Sequence, residues 1–370
     1  MSQLTDKIKR CKRFLTILFL FLKTSKNYSN FLFAQPYSHA FYAGDLCLEP
    51  SKFSLQDKIK ALSTITLSSL VNFSKTIFSH FHLEMLVHGN ATPSEAKAIS
   101  CTITDKLKPE PLFQLNAAEH RVVKLEHSIE YVHRFAGFNP DDANSCLEIL
   151  FQIGPVHIGT NALLSFLLHL MKEPAFNELR STEQLGYIVH TSVKTNGDNI
   201  KSLLVLIQSD AYDPIYLDDR VEAFLDRFRG KIVSMDENEF QKNIDAVVEQ
   251  FLEKNKNLAE ESSKYWAVIS NRSYMFKKYE MIAEEVKNIT VRKVLTFFDK
   301  YVGKDGVNRK KMSVQVFGKN FTKKLENTDE KDYGKNLVII DSQDAVDFKR
   351  CMNLFPLPKI IDVNQFKMNA

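Results

Sequence analysis

Two apolar segments on either side of Asn196-Gly197-Asp198 most strongly limit how this chain can fold. Residues 186–195 and 199–209 each have the composition and alternation of a strand. The intervening tripeptide is typical of a tight turn, because Asn and Gly accept the positive φ that a short hairpin requires. The pattern therefore predicts two neighbouring antiparallel strands.

The remaining patterns place strands early and helices late in this part of the chain. Residues 121–135 and 146–153 alternate as strands do, whereas residues 158–171 are apolar nearly all round and predict a buried helix. Further helices are predicted over residues 213–233, 236–254, 258–270, 290–302 and 344–350, and a last strand over 311–318. This order predicts the α+β class, with an antiparallel sheet covered by helices on one face.

The residues before position 107 have a different pattern. Residues 35–106 predict helices followed by one strand over 82–88, which ends at a turn. Another helix should begin at Thr92, since Glu95 three positions later can reach back to the Thr92 backbone. The polar residues 106–111 contain two prolines and predict a linker.

Composition is that of an ordinary globular protein. Apolar residues make up 44 % and charged residues 25 % of the 370 positions, which suits a packed core. The length fits two domains of ordinary size, or one large domain with an appendage. The net charge of +4 comes without a basic stripe, so no nucleic acid is expected as a partner. The chain has no C-x-x-C pair, which predicts free buried thiols in a reducing, cytoplasmic compartment. The cysteines are Cys11, Cys47, Cys101, Cys146 and Cys351.

The N-terminal residues 1–34 leave several interpretations open. A basic stretch precedes an apolar run over residues 14–22, which is shorter than the roughly 20 residues of a membrane span. The arrangement resembles a signal peptide, but residues 23–26 offer no small-x-small cleavage site. A targeting signal, a membrane-associating or buried helix, and a leader foreign to the fold all remain open, and secretion remains open with them. We expect no membrane span.

Histidines give no metal motif in this chain. None of the ten lies in H-E-x-x-H or H-x-x-E-H, the two arrangements that set a pair of zinc ligands on one helix face. His127 and His133 would lie about 20 Å apart along a strand, which is too far for one metal ion. Neither G-x-S-x-G nor a phosphate-binding glycine loop is present. The sequence therefore predicts no metal site and structural histidines.

Arg180 and Tyr187 are the candidate binding residues. Arg180 offers five N–H donors in a fixed plane, and Tyr187 offers one O–H donor. The patterns place Arg180 near the end of a helix and Tyr187 at the start of a strand, where both could face one substrate carbonyl. The alternative is an exposed helix arginine and a half-buried strand tyrosine without a shared function.

A resemblance to a known family favours the first interpretation. Residues 176–189, F-N-E-L-R-S-T-E-Q-L-G-Y-I-V, resemble the substrate-clamping segment in the C-terminal half of the insulin-degrading enzymes, which are pitrilysin-like zinc peptidases. Weaker similarity covers roughly nine tenths of the chain. The family is built from four α+β domains, so the resemblance implies a complete fourth domain over 107–370, the C-terminal part of a third over 35–106, and a leader outside the family over 1–34.

The resemblance also implies roles and partners. Arg180 matches the arginine that clamps the substrate, and Tyr187 matches the tyrosine that stabilises the transition state. Zinc belongs to H-x-x-E-H in the N-terminal half of the family, so no zinc ligand carries over and no cofactor is expected in this chain. The chain would bind peptides, be inactive alone and require a zinc-bearing N-terminal half. The alternative is a non-catalytic peptide-binding or oligomerisation module, with a homo-oligomer expected.

Overall fold

The computed structural model describes residues 28–112, 119–327, 336–340 and 345–357. The predictions for the apolar run over 14–22 lie outside these ranges and stay predictions. No helix within the described ranges is long and apolar enough to cross a membrane. Contacts divide the described chain into two compact units. One contains Phe53–Glu119 and Asn255–Tyr274, and the other contains Phe33–Lys52, His120–Lys254 and the described residues from Met275 onward.

Both units contain helices and strands. The α-helices are α1 Pro36–Leu48, α2 Leu55–Thr64, α3 Leu67–Thr76, α4 Pro93–Leu107, α5 Ile158–Ala175, α6 Pro214–Ser234, α7 Glu237–Leu252, α8 Leu258–Ser270, α9 Lys278–Lys287, α10 Val291–Tyr301, α11 Thr322–Asn327 and α12 Ala345–Cys351. The strands are β1 His80–Phe81, β2 Glu110–Pro111, β3 Glu130–Ala136, β4 Ser145–Pro155, β5 Ile188–Asn196, β6 Ile200–Ser209, β7 Lys311–Phe317 and β8 Leu337–Ile340.

The second unit is built on a six-stranded sheet in the order β5-β6-β4-β7-β3-β8. The predicted hairpin is confirmed, with Ile188 opposite Gln208 and Asn196 opposite Ile200. Gly197 forms the turn at a φ of 54°, in the left-handed region that favours glycine. The pairs β5–β6, β6–β4 and β4–β7 are antiparallel, whereas β3 runs parallel to both β7 and β8. The α+β class is confirmed. The sheet was predicted to be antiparallel, and it also contains the parallel strands β7, β3 and β8 at one side.

Helices cover both faces of this sheet. Helices α5, α6, α7, α9 and α10 pack on one face, against β4 residues such as Leu147 and Ile149. Helices α1 and α12 pack on the other, against Cys146 and Leu150. The prediction of helices on one face is therefore incomplete, because α1 and α12 cover the other face. The sequence pattern assigned α1 to the preceding domain. In the structure, the apolar side of α1 packs on this sheet.

The first unit consists of short elements with little burial. The predicted start of α4 is confirmed, since the Thr92 backbone N–H donates to Glu95 at 2.7 Å. The predicted strand over 82–88 is wrong, because only His80–Phe81 forms a strand, paired in parallel with β2. None of the residues of α2, α3 or α4 is buried. These three helices therefore leave their apolar sides largely exposed.

Several other boundaries differ from the sequence patterns. Strand β3 begins at Glu130, and the segment from 121 contributes only a bridge between Val123 and Leu354. Helix α9 and strand β8 were not predicted. The contact-based units cut across the predicted domains, because α1 packs on the sheet and Asn255–Tyr274 packs in the first unit. The domain boundaries at 34 and 106 stay predictions.

The described cysteines are free thiols of two kinds. Cys47 and Cys146 are buried, as predicted, whereas Cys101 and Cys351 are exposed. Burial raises the pKa of the Cys47 thiol to about 12. The two buried thiols are thereby kept protonated at neutral pH, which suits packing residues and not nucleophiles.

Candidate functional site

A widened helical turn carries the first candidate residue. Helix α5 continues directly into a π-helical turn, Phe176–Thr182, in which the Glu183 N–H donates to the Glu178 carbonyl at 2.9 Å. Pro174, just before this turn, has no N–H to continue the α-helical ladder. Turns of this kind are rare and frequently occur at functional sites. Arg180 lies in this turn, as the sequence pattern predicted for a helix end.

Arg180 and Tyr187 lie together. The Cζ atom of Arg180 lies 4.7 Å from the ring centroid of Phe176 and 5.2 Å from that of Tyr187. Both distances allow cation–π attraction, which holds the guanidinium between the rings. Tyr187 is 84 % exposed, so the half-buried strand tyrosine of the alternative interpretation is not found. Two side chains seven positions apart thus present an N–H donor and an O–H donor on one exposed surface.

Two glutamates around Arg180 anchor the turn to helix α6. Glu183 accepts two hydrogen bonds from Arg220, at 2.7 and 2.8 Å, and one from Arg227 at 2.9 Å. Glu178 accepts from Arg227 and, at 3.1 Å, from Lys231. The hydrogen bond from Arg220 holds the pKa of Glu183 below its usual value, so this carboxylate stays ionised at neutral pH.

These five charged residues were not predicted from the sequence as part of the site. A signal was present, because Arg220, Arg227 and Lys231 are spaced by seven and four positions and therefore share one face of α6. What the sequence could not show is that this face meets the π-helical turn. In the described ranges, no hydrogen bond or ion pair engages the guanidinium of Arg180 itself, which is left available to a ligand.

The residues between the turn and β5 are fixed by close backbone packing. Gln184 adopts the left-handed region with a φ of 52°. The buried Leu185 donates its N–H to the Leu179 carbonyl at 2.9 Å. A Cβ atom on Gly186 would lie 2.1 Å from the carbonyl oxygen of Gln208, so only glycine fits. The order Gln-Leu-Gly-Tyr thus directs the chain into β5 with Tyr187 turned outward.

A cavity of about 630 Å³ opens beside Phe176. It lies between the end of α5, the start of β5 and the start of α7, and its apolar lining includes Leu170, Val189 and Met235. A volume of this size is typical of ligand sites. No sequence motif indicated the cavity, because its lining comes from three elements that are far apart along the chain.

The described residues do not fit a zinc ion. Within the described ranges, no group of three His, Cys, Asp or Glu residues is placed to hold a metal. His133 is buried and its Nδ1 lies 2.7 Å from the Ile340 carbonyl oxygen, which is a structural contact. What the candidate site does offer is hydrogen-bond donors, from Arg180 and Tyr187.

Comparison with known proteins relates this chain to insulin-degrading enzymes. The family model described as PQQ synthase PqqF-like, C-terminal lobe domain 4, matches residues 166–266 and so includes Arg180 and Tyr187. Insulin-degrading enzyme-like 1, peroxisomal, of Arabidopsis thaliana is 31 % identical, over 81 % of this chain and 32 % of that protein. Insulin-degrading enzyme of Homo sapiens is 32 % identical, over 80 % of this chain and 29 % of that protein.

The chain is a homologue of the insulin-degrading enzymes. The fold agrees with this relationship, since a crystal structure of pitrilysin superposes with a TM-score of 0.76 at 21 % identity, over 91 % of this chain and 34 % of that one. The chain spans about a third of the length of the insulin-degrading enzymes and related proteins that it matches. What the whole relatives act on is therefore not carried over directly to this chain.

Proposed function

We propose that this chain is the peptide-binding part of an insulin-degrading-enzyme-like peptidase, in which Arg180 and Tyr187 bind one backbone carbonyl of the peptide. The proposal is carried by the pairing of these two side chains at an exposed surface. The homology to insulin-degrading enzymes supports peptides as the ligand class. The chain alone is proposed to bind peptides without hydrolysing them.

Both donors suit a carbonyl oxygen that gains negative charge. The guanidinium of Arg180 donates with a permanent positive charge, and the phenol of Tyr187 donates a neutral hydrogen bond. Glu178 and Glu183 fix the turn that carries Arg180, so little reorganisation is needed when a ligand arrives. Such pre-arranged donors bind an oxyanion more strongly than a neutral carbonyl and therefore act on the transition state.

Hydrolysis would require residues that this chain does not supply. Its sequence has no H-x-x-E-H, and the described residues offer no metal site. We infer that a separate zinc-bearing half of a related enzyme would complete the reaction, with Arg180 and Tyr187 as its oxyanion donors. The buried thiols Cys47 and Cys146 also favour a reducing compartment, and we propose the cytoplasm.

Peptide binding provides the direct test. Fluorescein-labelled insulin B chain is titrated with the whole chain, and fluorescence anisotropy reports the dissociation constant. We expect Arg180→Gln to weaken binding by about 10-fold or more and Tyr187→Phe by about 2- to 10-fold, since one charged and one neutral hydrogen bond are lost. Tyr187→Phe keeps the ring that stacks on Arg180, so its effect isolates the hydroxyl group.

Matched controls come from exposed residues of the same types outside the Arg180–Tyr187 pair. Arg350→Gln and Tyr216→Phe should leave the dissociation constant within about twofold, as surface changes of little energy do. Unchanged binding in the Arg180→Gln/Tyr187→Phe double variant would overturn the proposal. Adding the N-terminal half of human insulin-degrading enzyme then tests catalysis, where Tyr187→Phe should lower cleavage by about 100- to 1000-fold.

A second candidate function is self-association through the first unit. Its helices α2, α3 and α4 bury none of their residues, and several large apolar side chains are exposed there. These include Phe53, Phe73, Phe78, Ile99 and Leu107. Exposed apolar area of this kind favours association, and a homo-oligomer is proposed.

Light scattering coupled to gel filtration tests this second candidate. We expect a mass above the 42.6 kDa of one chain at micromolar concentration, and a shift toward the monomer in the Phe73→Ser/Phe78→Ser variant. Phe33→Ser, which removes a phenylalanine of the second unit that is 73 % exposed, is the control and should leave the mass unchanged. A monodisperse wild-type monomer would contradict self-association.

A further inference from the structure

Strand β5 forms an edge of the six-stranded sheet. In the described part of the chain it pairs only with β6, so its second edge has no strand beside it. An edge strand turns the N–H and C=O groups of every second residue outward, which makes it a template for another extended chain. Tyr187 immediately precedes this strand, which places the donors of the candidate site at one end of the open edge.

The cavity beside Phe176 reaches this edge. Val189, His190 and Thr191 all line it, although consecutive residues of a strand point to opposite faces of the sheet. Val189 and Thr191 lie opposite Ile207 and Val205, which face helix α5, whereas His190 points to the other face. A cavity that contacts all three therefore borders the strand along its edge and not over one face alone.

Thr191 has an unsatisfied hydroxyl group in this lining. The residue is only 5 % exposed, and its Oγ1 atom finds no hydrogen-bond partner in the described structure. Leaving a buried hydroxyl unpaired is unfavourable by roughly 1–3 kcal/mol, so buried hydroxyl groups normally have a hydrogen-bond partner. The oxygen itself is buried in the free chain, so the Thr191 side chain would have to rotate to bring it to an N–H or C=O group of a ligand in the cavity that Thr191 lines.

We propose that a peptide binds in extended form as an additional strand on the outer edge of β5, with an apolar side chain in the cavity. Leu170, Phe176, Val189 and Met235 would surround that side chain, and Thr191 would bond to the peptide backbone. The adjoining carbonyl then meets Arg180 and Tyr187 at the start of the strand. This inference rests on the proposed function and specifies how the peptide is held.

The chemistry of the site fits a peptide backbone. Main-chain hydrogen bonds to a free strand edge supply affinity that is independent of sequence, and a pocket beside the edge supplies preference for one side chain. The cavity is lined by one lysine and two acidic side chains, Lys172, Glu173 and Glu239, so no single charge is favoured. An aliphatic or aromatic residue is the expected occupant, because most of the exposed surface of the lining is apolar.

Backbone methylation tests the pairing directly. The probes are a fluorescein-labelled heptapeptide of alternating threonine and leucine and two versions, methylated at the threonine or at the leucine amides. Each set blocks one edge of the extended peptide. We expect one set to weaken binding by about 10-fold or more and the other by less than about twofold, because a single edge bonds to β5. Equal binding of all three peptides would overturn the proposal.

Filling the cavity tests the pocket. Met235→Trp should weaken binding of the unmethylated heptapeptide by about 10-fold, because the larger side chain occupies the space of the leucine. Val233→Trp, two positions earlier and 56 % exposed on α6, is the matched control and should have little effect. Thr191→Val, which removes the hydroxyl group at nearly constant volume, should weaken binding by about 2- to 10-fold.

Hydrogen exchange on the wild-type chain keeps the test independent of variant folding. Saturation with the heptapeptide should slow exchange of outward amides between residues 188 and 196, and unchanged exchange there would overturn the proposal. If insulin B chain binds through Arg180 and Tyr187 but neither methylation nor Met235→Trp changes the affinity for the heptapeptide, the proposed function is supported and strand addition at β5 is contradicted. If no peptide binds, both fall.

Discussion

Replacing Lys194 by methionine should lower the free energy of unfolding by about 3–5 kcal/mol, the usual effect of removing one partner of a buried ion pair. The Lys194 ammonium lies 2.7 Å from Glu148 Oε1 and 3.0 Å from Asp45 Oδ1. Glu148 is completely buried and lies next to Gly44 of helix α1. Without Lys194, this carboxylate would be left in the sheet with no counter-charge.

The loss should depend on pH with a definite sign. Burial raises the pKa of Glu148 above its usual value, and loss of Lys194 should raise it further. A carboxyl whose pKa is higher in the folded state favours folding at low pH and disfavours it as pH rises through that value. The Lys194→Met variant should therefore be destabilised most near pH 7 and less near pH 5.

Urea denaturation followed by circular dichroism at both pH values measures this effect. Tryptophan fluorescence is unsuitable because the single tryptophan, Trp266, belongs to the first unit. Lys287→Met is the control, since Lys287 and Glu284 form an exposed pair worth at most about 1 kcal/mol. Adding Glu148→Gln to Lys194→Met should recover much of the loss. An equal effect of both lysine variants would contradict the buried-pair explanation.

Replacing Gly186 by alanine should reduce both stability and peptide binding. The new Cβ would lie 2.1 Å from the carbonyl oxygen of Gln208, a backbone atom that cannot move without disturbing the β5–β6 pairing. Overpacking of this kind typically lowers stability by about 1–3 kcal/mol. Because Tyr187 follows directly, its hydroxyl should shift by a comparable distance, and a misplacement of about 1 Å can lower activity about 100-fold.

Gly230→Ala is the matched control for this change. Gly230 lies inside α6, and an added Cβ would meet no atom within 4 Å. Alanine there should stabilise the helix by roughly 0.5–1 kcal/mol. The urea midpoint and the affinity for labelled insulin B chain are measured for both variants. A Gly186→Ala protein with wild-type stability and affinity would show that the close approach to Gln208 is unimportant.

Much of the local structure follows from short-range patterns that need no partner. The Asn196-Gly197 turn predicted the β5–β6 hairpin because positive φ is a property of those residues themselves. The start of α4 at Thr92 depends on a side chain only three positions away. The boundaries of α8 were likewise predicted at Leu258 and Ser270. Where the deciding contact is local, the sequence is sufficient.

Other features depended on contacts between distant residues. The pattern over 82–88 alternates like a strand, yet only His80–Phe81 found a pairing partner, because a strand exists only where another chain segment bonds to it. Helices on both faces of the sheet could not be predicted, since α1 precedes β4 by about 100 residues. The parallel pairing of β3 with β7 joins segments even farther apart.

For the candidate site, the sequence by itself determined which residues are present and what each can donate. The sequence alone shows the motif around Arg180 and Tyr187, and it shows that H-x-x-E-H is absent. Only the tertiary structure decided that Arg180 stacks between Phe176 and Tyr187, that α6 anchors its turn, and that the cavity meets the edge of β5. The reason is physical: donor chemistry belongs to each side chain, whereas proximity, burial and open edges arise only when distant segments pack.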